Sequence, residues 1–225
     1  MTHSTVRRIM PLVFSMTITS LCLFGAAGRL DWPNAWVLLA LNFTASVGSA
    51  LLLARNPALL AERKNVKAGK GWDKPIVAGV VLIGPVTTWI TAGLDTRFQW
   101  SEYMPAEVAV AGAAVAALSA ALIIWAMQSN PFFSAVVRIQ KDRGHVVVTG
   151  GPYRFVRHPA YTGLAAFTLV TPFILNSRWA FVPAAVTAAL SVLRTVLEDR
   201  TLRRELEGYA AYAQRVKYRL APFIW

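Results

Sequence analysis

The feature that most limits what this chain can fold into is a succession of long apolar runs parted by short polar ones. A helix crossing the hydrocarbon core of a bilayer needs about 20 such residues, within a range of about 17–25. Six stretches meet or approach this: residues 9–28, 33–54, 75–94, 105–127, 159–175 and 179–197. Several open on proline, which suits a first helical position because its missing N–H has no partner to lose there. Only Asn176, Ser177 and Arg178 join the last two runs, which predicts a tight helical hairpin. The fifth run, at 17 residues, barely crosses.

Charge supports the same reading. Asp, Glu, Lys and Arg make up 15% of the 225 residues, against about 25% in an ordinary soluble domain. The net charge of +12 would suit nucleic acid if the basic residues shared a folded face, but they fall in loops between apolar runs. Of the 23 Lys and Arg, all but Arg29, Arg97 and Arg178 lie at the termini or in alternate loops on one side. That asymmetry predicts both termini on the cytoplasmic side, here of a bacterial inner membrane. The expectation is an all-α integral membrane protein of about six transmembrane helices, a single domain with membrane lipids and no nucleic acid as partners. Residues 1–127 hold four spans; residues 128–225 hold a loop, the helical hairpin and an amphipathic tail. The first run, after Arg7 and Arg8 and ending in Ala26, Ala27 and Gly28, also has the form of a signal peptide. A retained helix is favoured because Trp32 and Pro33 lead straight into the next run. A transporter is disfavoured, since the runs carry almost no central charge and no two halves are alike.

Cys22 is the one cysteine, so neither an intrachain disulfide nor a multi-thiolate zinc site can form, and three histidines offer little for a metal cluster. The polar segments are too short for a doubly wound nucleotide-binding sheet. Any cofactor site must therefore be assembled from helix ends, the loop 128–158 and the C-terminal tail. Two groups of residues could build it. In the first, Val146, Val147 and Val148 form a short extended run, Gly150 to Pro152 a turn, and Pro159 opens the fifth helix with His158 near its N-cap. His158, Tyr161 and Thr162 then share a face, beside helix-end N–H groups suited to an anion. The same stretch also reads as an ordinary interfacial loop with an aromatic anchor at Tyr153. The second group is Arg194, Glu198 and Asp199 at the end of the sixth run, which also reads as a surface ion pair between Arg194 and Glu198. Beyond it, Leu202, Leu206, Tyr209, Ala213 and Val216 recur at helical spacing, an amphipathic helix lying against the membrane or folded back over the bundle, with Tyr209 and Tyr212 expected as interface anchors and residues 220–225 as an apolar plug or anchor. The basic loop 55–74 is expected to face anionic lipid.

Together these residues resemble the isoprenylcysteine carboxyl methyltransferase family and its phospholipid methyltransferase relatives. The resemblance covers roughly residues 130–225: His145 followed by three valines, Tyr153, then Arg157-His158-Pro159-Ala160-Tyr161, a helical hairpin, and Arg194 four residues before Glu198. It implies an S-adenosylmethionine site made from Arg138, His145, Val146, Val147, Val148, Tyr153, His158, Pro159, Ala160, Tyr161 and Glu198, with Arg194 orienting a substrate carboxylate. Arg138 departs from the glutamine common in eukaryotic members, and the tail around Leu206 to Tyr209 is altered. The implied activity is transfer of a methyl group to a carboxylate of a lipophilic, isoprenylcysteine-like substrate. Such a carboxylate, with a pKa near ~4, needs no general base at neutral pH. Phospholipid amines, small thiols and an NADPH-dependent sterol-reductase-like chemistry stay open as alternatives.

Overall fold

The computed structural model describes residues 3–225, with side chains from Met10 onward; the side chains of Arg7 and Arg8, which head the first apolar run, lie outside the described residues. Helix α1 (His3–Ser20) continues through a π turn (Leu21–Gly25). It is followed by α2 (Pro33–Ala54), α3 (Pro57–Lys64) and α4 (Asp73–Ala78). A second π turn (Gly79–Ile83) joins α4 to α5 (Gly84–Phe98) in one unbroken rod. Then come α6 (Ala106–Ser129), α7 (Pro159–Leu175), α8 (Phe181–Glu205) and the short α9 (Tyr209–Arg215). Among the described residues there is no β-strand. Four helices are long and apolar enough to cross a membrane: Pro33–Ala54, Asp73–Phe98, Ala106–Ser129 and Phe181–Glu205. Met10–Gly25 and Pro159–Leu175 are apolar but shorter. At 17 residues, α7 is about 25 Å long, against a hydrocarbon core of about 30 Å.

Local sequence accounts for the helix ends. Proline opens α2, α3 and α7, and the Asn56 side chain caps α3 by accepting the Leu59 N–H at 3.2 Å. The third membrane helix begins at Asp73, two residues before the expected proline, because a carboxylate suits the positive end of a helix. Asn176 ends α7 in the left-handed conformation (φ 55°) and turns the chain into α8, the expected hairpin.

Small residues let the rods touch. On α6, Gly112, Ala116 and Ser119 are buried along one stripe, and a Cβ on Gly163 of α7 would stand 2.7 Å from the Ser119 carbonyl. Close backbone approach of this kind is the usual substitute for a hydrophobic driving force inside lipid. At one end of the bundle, buried Asp95 accepts from the Ser101 N–H (2.8 Å), the Ser101 hydroxyl (2.6 Å) and the Ser177 hydroxyl. The loops leaving α5 and α7 are thereby tied together.

At the other end, which carries most of the basic residues, the chain is folded over the bundle. In segment 55–74 Leu59, Glu62 and Asp73 are buried, while most of its length, Lys64 and Lys67 included, stays exposed. Both buried acids point at arginines of other segments, so the segment is fastened inward. The tail takes the second of its two expected arrangements, folded back over the bundle, but its tyrosines are not anchors. Helix α8 runs through Leu202 to Glu205, Gly208 (φ 79°) reverses the chain, and α9 packs back with Tyr209 and Tyr212 buried instead of anchored at an interface. One buried carboxylate, Asp199, gathers this region: it accepts from Arg157 Nε (2.8 Å), Tyr209 Oη (2.9 Å), Arg203 Nε and Arg219 Nε (both 3.1 Å). Of the terminal residues expected as a plug or anchor, Leu220 is buried while Phe223 and Ile224 are exposed.

Candidate active site

At this basic end a cavity of about 330 Å³ opens between the loop after α6, the first turn of α7, the last turns of α8, and α9. That is within the size range of small-molecule sites. Its walls are built from segments far apart in sequence, and each is held by specific bonds.

The loop after α6 turns on buried Gln140, whose side chain donates to the Phe132 carbonyl (2.7 Å) and accepts from Arg143 (2.6 Å). The Gln140 N–H donates to His145 Nδ1 at 3.3 Å, while the His145 N–H returns to the Gln140 carbonyl at 3.2 Å. This assigns the His145 proton to Nε2, since Nδ1 is an acceptor. Burial, and then the nearby charges of Arg138 and Arg143, hold the imidazole pKa below its ordinary value. The ring stacks on Phe132 with centroids 4.5 Å apart. Beyond it Val146, Val147 and Val148 belong to no helix or strand, and among the described residues their N–H and C=O groups have no hydrogen-bond partner. A row of free backbone donors and acceptors beside a cavity is a surface that a planar polar ligand can satisfy.

Gly151 then adopts φ 58°, and a Cβ there would run into Ser129, so the turn admits only glycine. It delivers Tyr153, whose carbonyl accepts from Tyr212 Oη (2.6 Å) and whose hydroxyl accepts from Asn130 Nδ2 (3.2 Å). His158 caps α7. Its Nε2 lies 3.3 Å from Tyr209 Oη and 3.4 Å from Asp199 Oδ1, and its N–H donates to the Arg219 carbonyl at 2.9 Å. Pro159 and Ala160 complete the rim, and the Ala160 N–H at the helix start has no partner among the described residues.

On the facing wall Tyr161 Oη donates to Glu198 Oε2 at 2.6 Å. The surface ion pair between Arg194 and Glu198 does not form. Arg194 instead grips Asp73 through Nε (2.7 Å) and Nη2 (3.0 Å), donates also to the Ala135 carbonyl (3.0 Å), and lies over the Tyr161 ring at 5.2 Å. Among the described residues no buried side-chain nitrogen or oxygen lacks a partner. Arg194 Nη1 and Glu198 Oε1, which have none, are therefore accessible, and both residues line the cavity. Arg138 also lines it, but its guanidinium is taken up by Glu62 (2.8 and 2.6 Å) and Asp142 (3.0 Å), so its backbone and stem remain for the wall.

All twelve residues that the resemblance implied thus border one cavity, whereas Thr162 and Asp199, also singled out in the sequence, do not line it. Sequence reasoning missed the acids that hold its cations, Glu62 and Asp73, and the loop organisers Asn130 and Gln140. The only signal for the two acids was their presence as isolated carboxylates in an otherwise basic segment.

Comparison with known proteins follows these walls. The profile of the phospholipid methyltransferase family matches residues 108–207. A protein-S-isoprenylcysteine O-methyltransferase B of Arabidopsis thaliana is 31% identical over 86 residues, 37% of this chain and 44% of that protein. A protein-S-isoprenylcysteine O-methyltransferase of Schizosaccharomyces pombe is 35% identical over 51 residues, 23% of this chain and 22% of that protein. The matched stretches span less than half the length of these curated relatives. A solved structure of a eukaryotic intramembrane Ras methyltransferase, isoprenylcysteine carboxyl methyltransferase, superposes with a TM-score of 0.62 over 92% of this chain and 73% of that one, at 21% identity. The fold is that of the isoprenylcysteine carboxyl methyltransferases. The resemblance read from residues 130–225 is borne out, and the likeness of fold, over 92% of the chain, reaches into the first four spans, which the sequence matched only in character.

Proposed function

We propose that this chain is an S-adenosylmethionine-dependent methyltransferase acting on a carboxylate of a lipophilic, isoprenylcysteine-like substrate at the cytoplasmic interface of the membrane. The observation that carries the reading is the convergence of the loop 138–161 with Arg194 and Glu198 around one cavity at the boundary of the apolar helices. A soluble, charged donor and a greasy acceptor can meet only at such a boundary.

The chemistry of the walls fits the donor. The free Val146–Val148 backbone suits the hydrogen-bonding edge of an adenine, Glu198 suits an ammonium group, and the Ala160 N–H at the positive end of α7 suits a carboxylate. His145, Tyr153, His158, Pro159 and Tyr161 would form the surrounding walls, with the Arg138 stem. When bound, the donor supplies an electrophilic methyl group on a sulfonium. Arg194 Nη1 would hold one carboxylate oxygen of the acceptor, and the Asp73 bidentate pair keeps the guanidinium from turning away. No proton has to be removed from an ionised carboxylate, so these residues act by alignment and by partial dehydration of the nucleophile.

One observation favours a second reading, a phospholipid-amine acceptor. The charge of Arg194 is already balanced by Asp73, and the family profile matched is that of phospholipid methyltransferases. Titration calorimetry in detergent with S-adenosylhomocysteine and with NADPH tests the donor. Homocysteine-product binding weakened at least tenfold in Glu198→Ala is expected, and binding of NADPH alone would overturn the methyltransferase. Transfer of labelled methyl to a farnesylcysteine analogue and to phospholipid vesicles then separates the acceptors. Loss of the first activity in Arg194→Gln is expected, and a phospholipid-only product would replace the carboxylate reading.

A further inference from the structure

A second concavity of about 260 Å³ lies between residues 70–72 and the last turns of α8, lined by none of the residues of the site just described. Its apolar lining is Leu197 and Trp72, the residue before the membrane helix Asp73–Phe98 begins. Arg200 and Arg204, one helical turn apart on α8, stand over it; both are exposed, and neither makes an ion pair among the described residues. Lys70 and Glu205 close the rim and bond to each other at 2.7 and 2.8 Å. The cleft therefore holds three cations against one carboxylate, and that carboxylate is already engaged.

Its level in the bundle is fixed by its own residues. Leu197 belongs to the apolar part of α8, Arg200 and Arg204 to the polar part, and tryptophan is the residue enriched where hydrocarbon meets headgroups. A cleft lined by a leucine and an indole, with two unpaired guanidiniums at that depth, matches a phosphodiester with acyl chains below it. Guanidinium groups suit phosphate through paired N–H donors. We propose that this cleft is a binding site for the headgroup of an anionic phospholipid, one molecule per chain, seated between residues 70–72 and the last turns of α8. A zwitterionic headgroup brings its own cation toward Arg200 and Arg204 and is excluded by it. The site is separate from the methyltransferase cavity and does not depend on that reading.

The test uses the full chain reconstituted in nanodiscs of phosphatidylcholine with or without phosphatidylglycerol, followed by native mass spectrometry. One retained phosphatidylglycerol is expected in the wild type. At least a tenfold fall in its occupancy is expected in Arg200→Gln/Arg204→Gln, with the melting temperature unchanged. Lys67→Gln, an exposed cation on the same face outside the cleft, is expected to leave retention as it was. Equal loss in Lys67→Gln would reduce the effect to general surface charge and overturn the site. Equal retention of phosphatidylcholine would do the same. So would displacement of the lipid by millimolar inorganic phosphate, which would make the ligand a soluble anion.

Discussion

At the scale of single residues, the Asp73–Arg194 pair is the most consequential contact. Both side chains are buried, and their bidentate bond spans 121 positions of sequence. Removing one partner of such a pair strands the other charge, which typically costs about 3–5 kcal/mol. Asp73→Asn is therefore expected to lower the melting temperature in detergent sharply, and Asp73→Asn/Arg194→Met to recover most of it; a double variant no more stable than the single would disprove the pairing. His145 supplies a pH dependence. Its folded pKa is depressed by burial and by two arginines, so the unfolded chain binds the proton more readily. Stability from this group is present above its ordinary pKa of 6.5 and is lost as pH falls below it. Melting curves from pH 8 to 5 should show the decline, and His145→Asn should flatten it. Glu62, lowered chiefly by its bond to Arg138, acts in a separate, more acidic window below its ordinary value of 4.5.

At the scale of elements, the helices were largely legible and the loops were not. Runs of apolar residues, prolines at helix starts and Asn176 at a helix end are local signals, because a helix satisfies its own backbone. The segment 130–158 has no such period. It is held by side-chain bonds inside the loop, Gln140 to Phe132 and Arg143 and Asn130 to Tyr153, and by the close seat of Gly151 against Ser129, none of which repeats with a period that sequence can show. Tyr209 and Tyr212 are not legible as buried residues either: an aromatic at helical spacing looks alike whether it meets lipid or a buried acceptor, here Asp199 for Tyr209 and the Tyr153 carbonyl for Tyr212. The tail shows how much can rest on one such group. Four side chains from the loop, from α8, from α9 and from the last residues donate to Asp199. Asp199→Asn is expected to free α9 and the residues after it while the membrane helices stay folded. Limited proteolysis should then cut within residues 206–225 at least tenfold faster than in the wild type. Unchanged cleavage would mean that packing of Leu206, Tyr209, Tyr212 and Ala213 alone secures the tail.

At the scale of the whole molecule, the two ends of the bundle are built for different work. The far end is a compact tie around Asp95, Ser101 and Ser177. The basic end carries both clefts and nearly all the polar mass. The charge bias that divides them predicts sidedness: in a Cys22→Ala background, a cysteine at Lys67 should react with an impermeant thiol reagent only from the cytoplasmic side, and one at Glu102 only from the opposite side. The reverse pattern would invert the proposed topology. The candidate site was legible in its residue types, because the motif order survives in sequence, but its closure was not. The acids that fix Arg138 and Arg194 come from segment 55–74, ahead of the matched region.

That separation also sets an order of events during synthesis. Asp73 leaves the ribosome 121 residues ahead of Arg194, an interval of about 6–24 seconds at ordinary translation rates of ~5–20 residues per second. Until then the acid stands at the start of a nascent membrane helix without its cation. Completion of the last hairpin is thus the moment at which Asp73 gains its partner, and a chain stopped short of it would keep a stranded carboxylate.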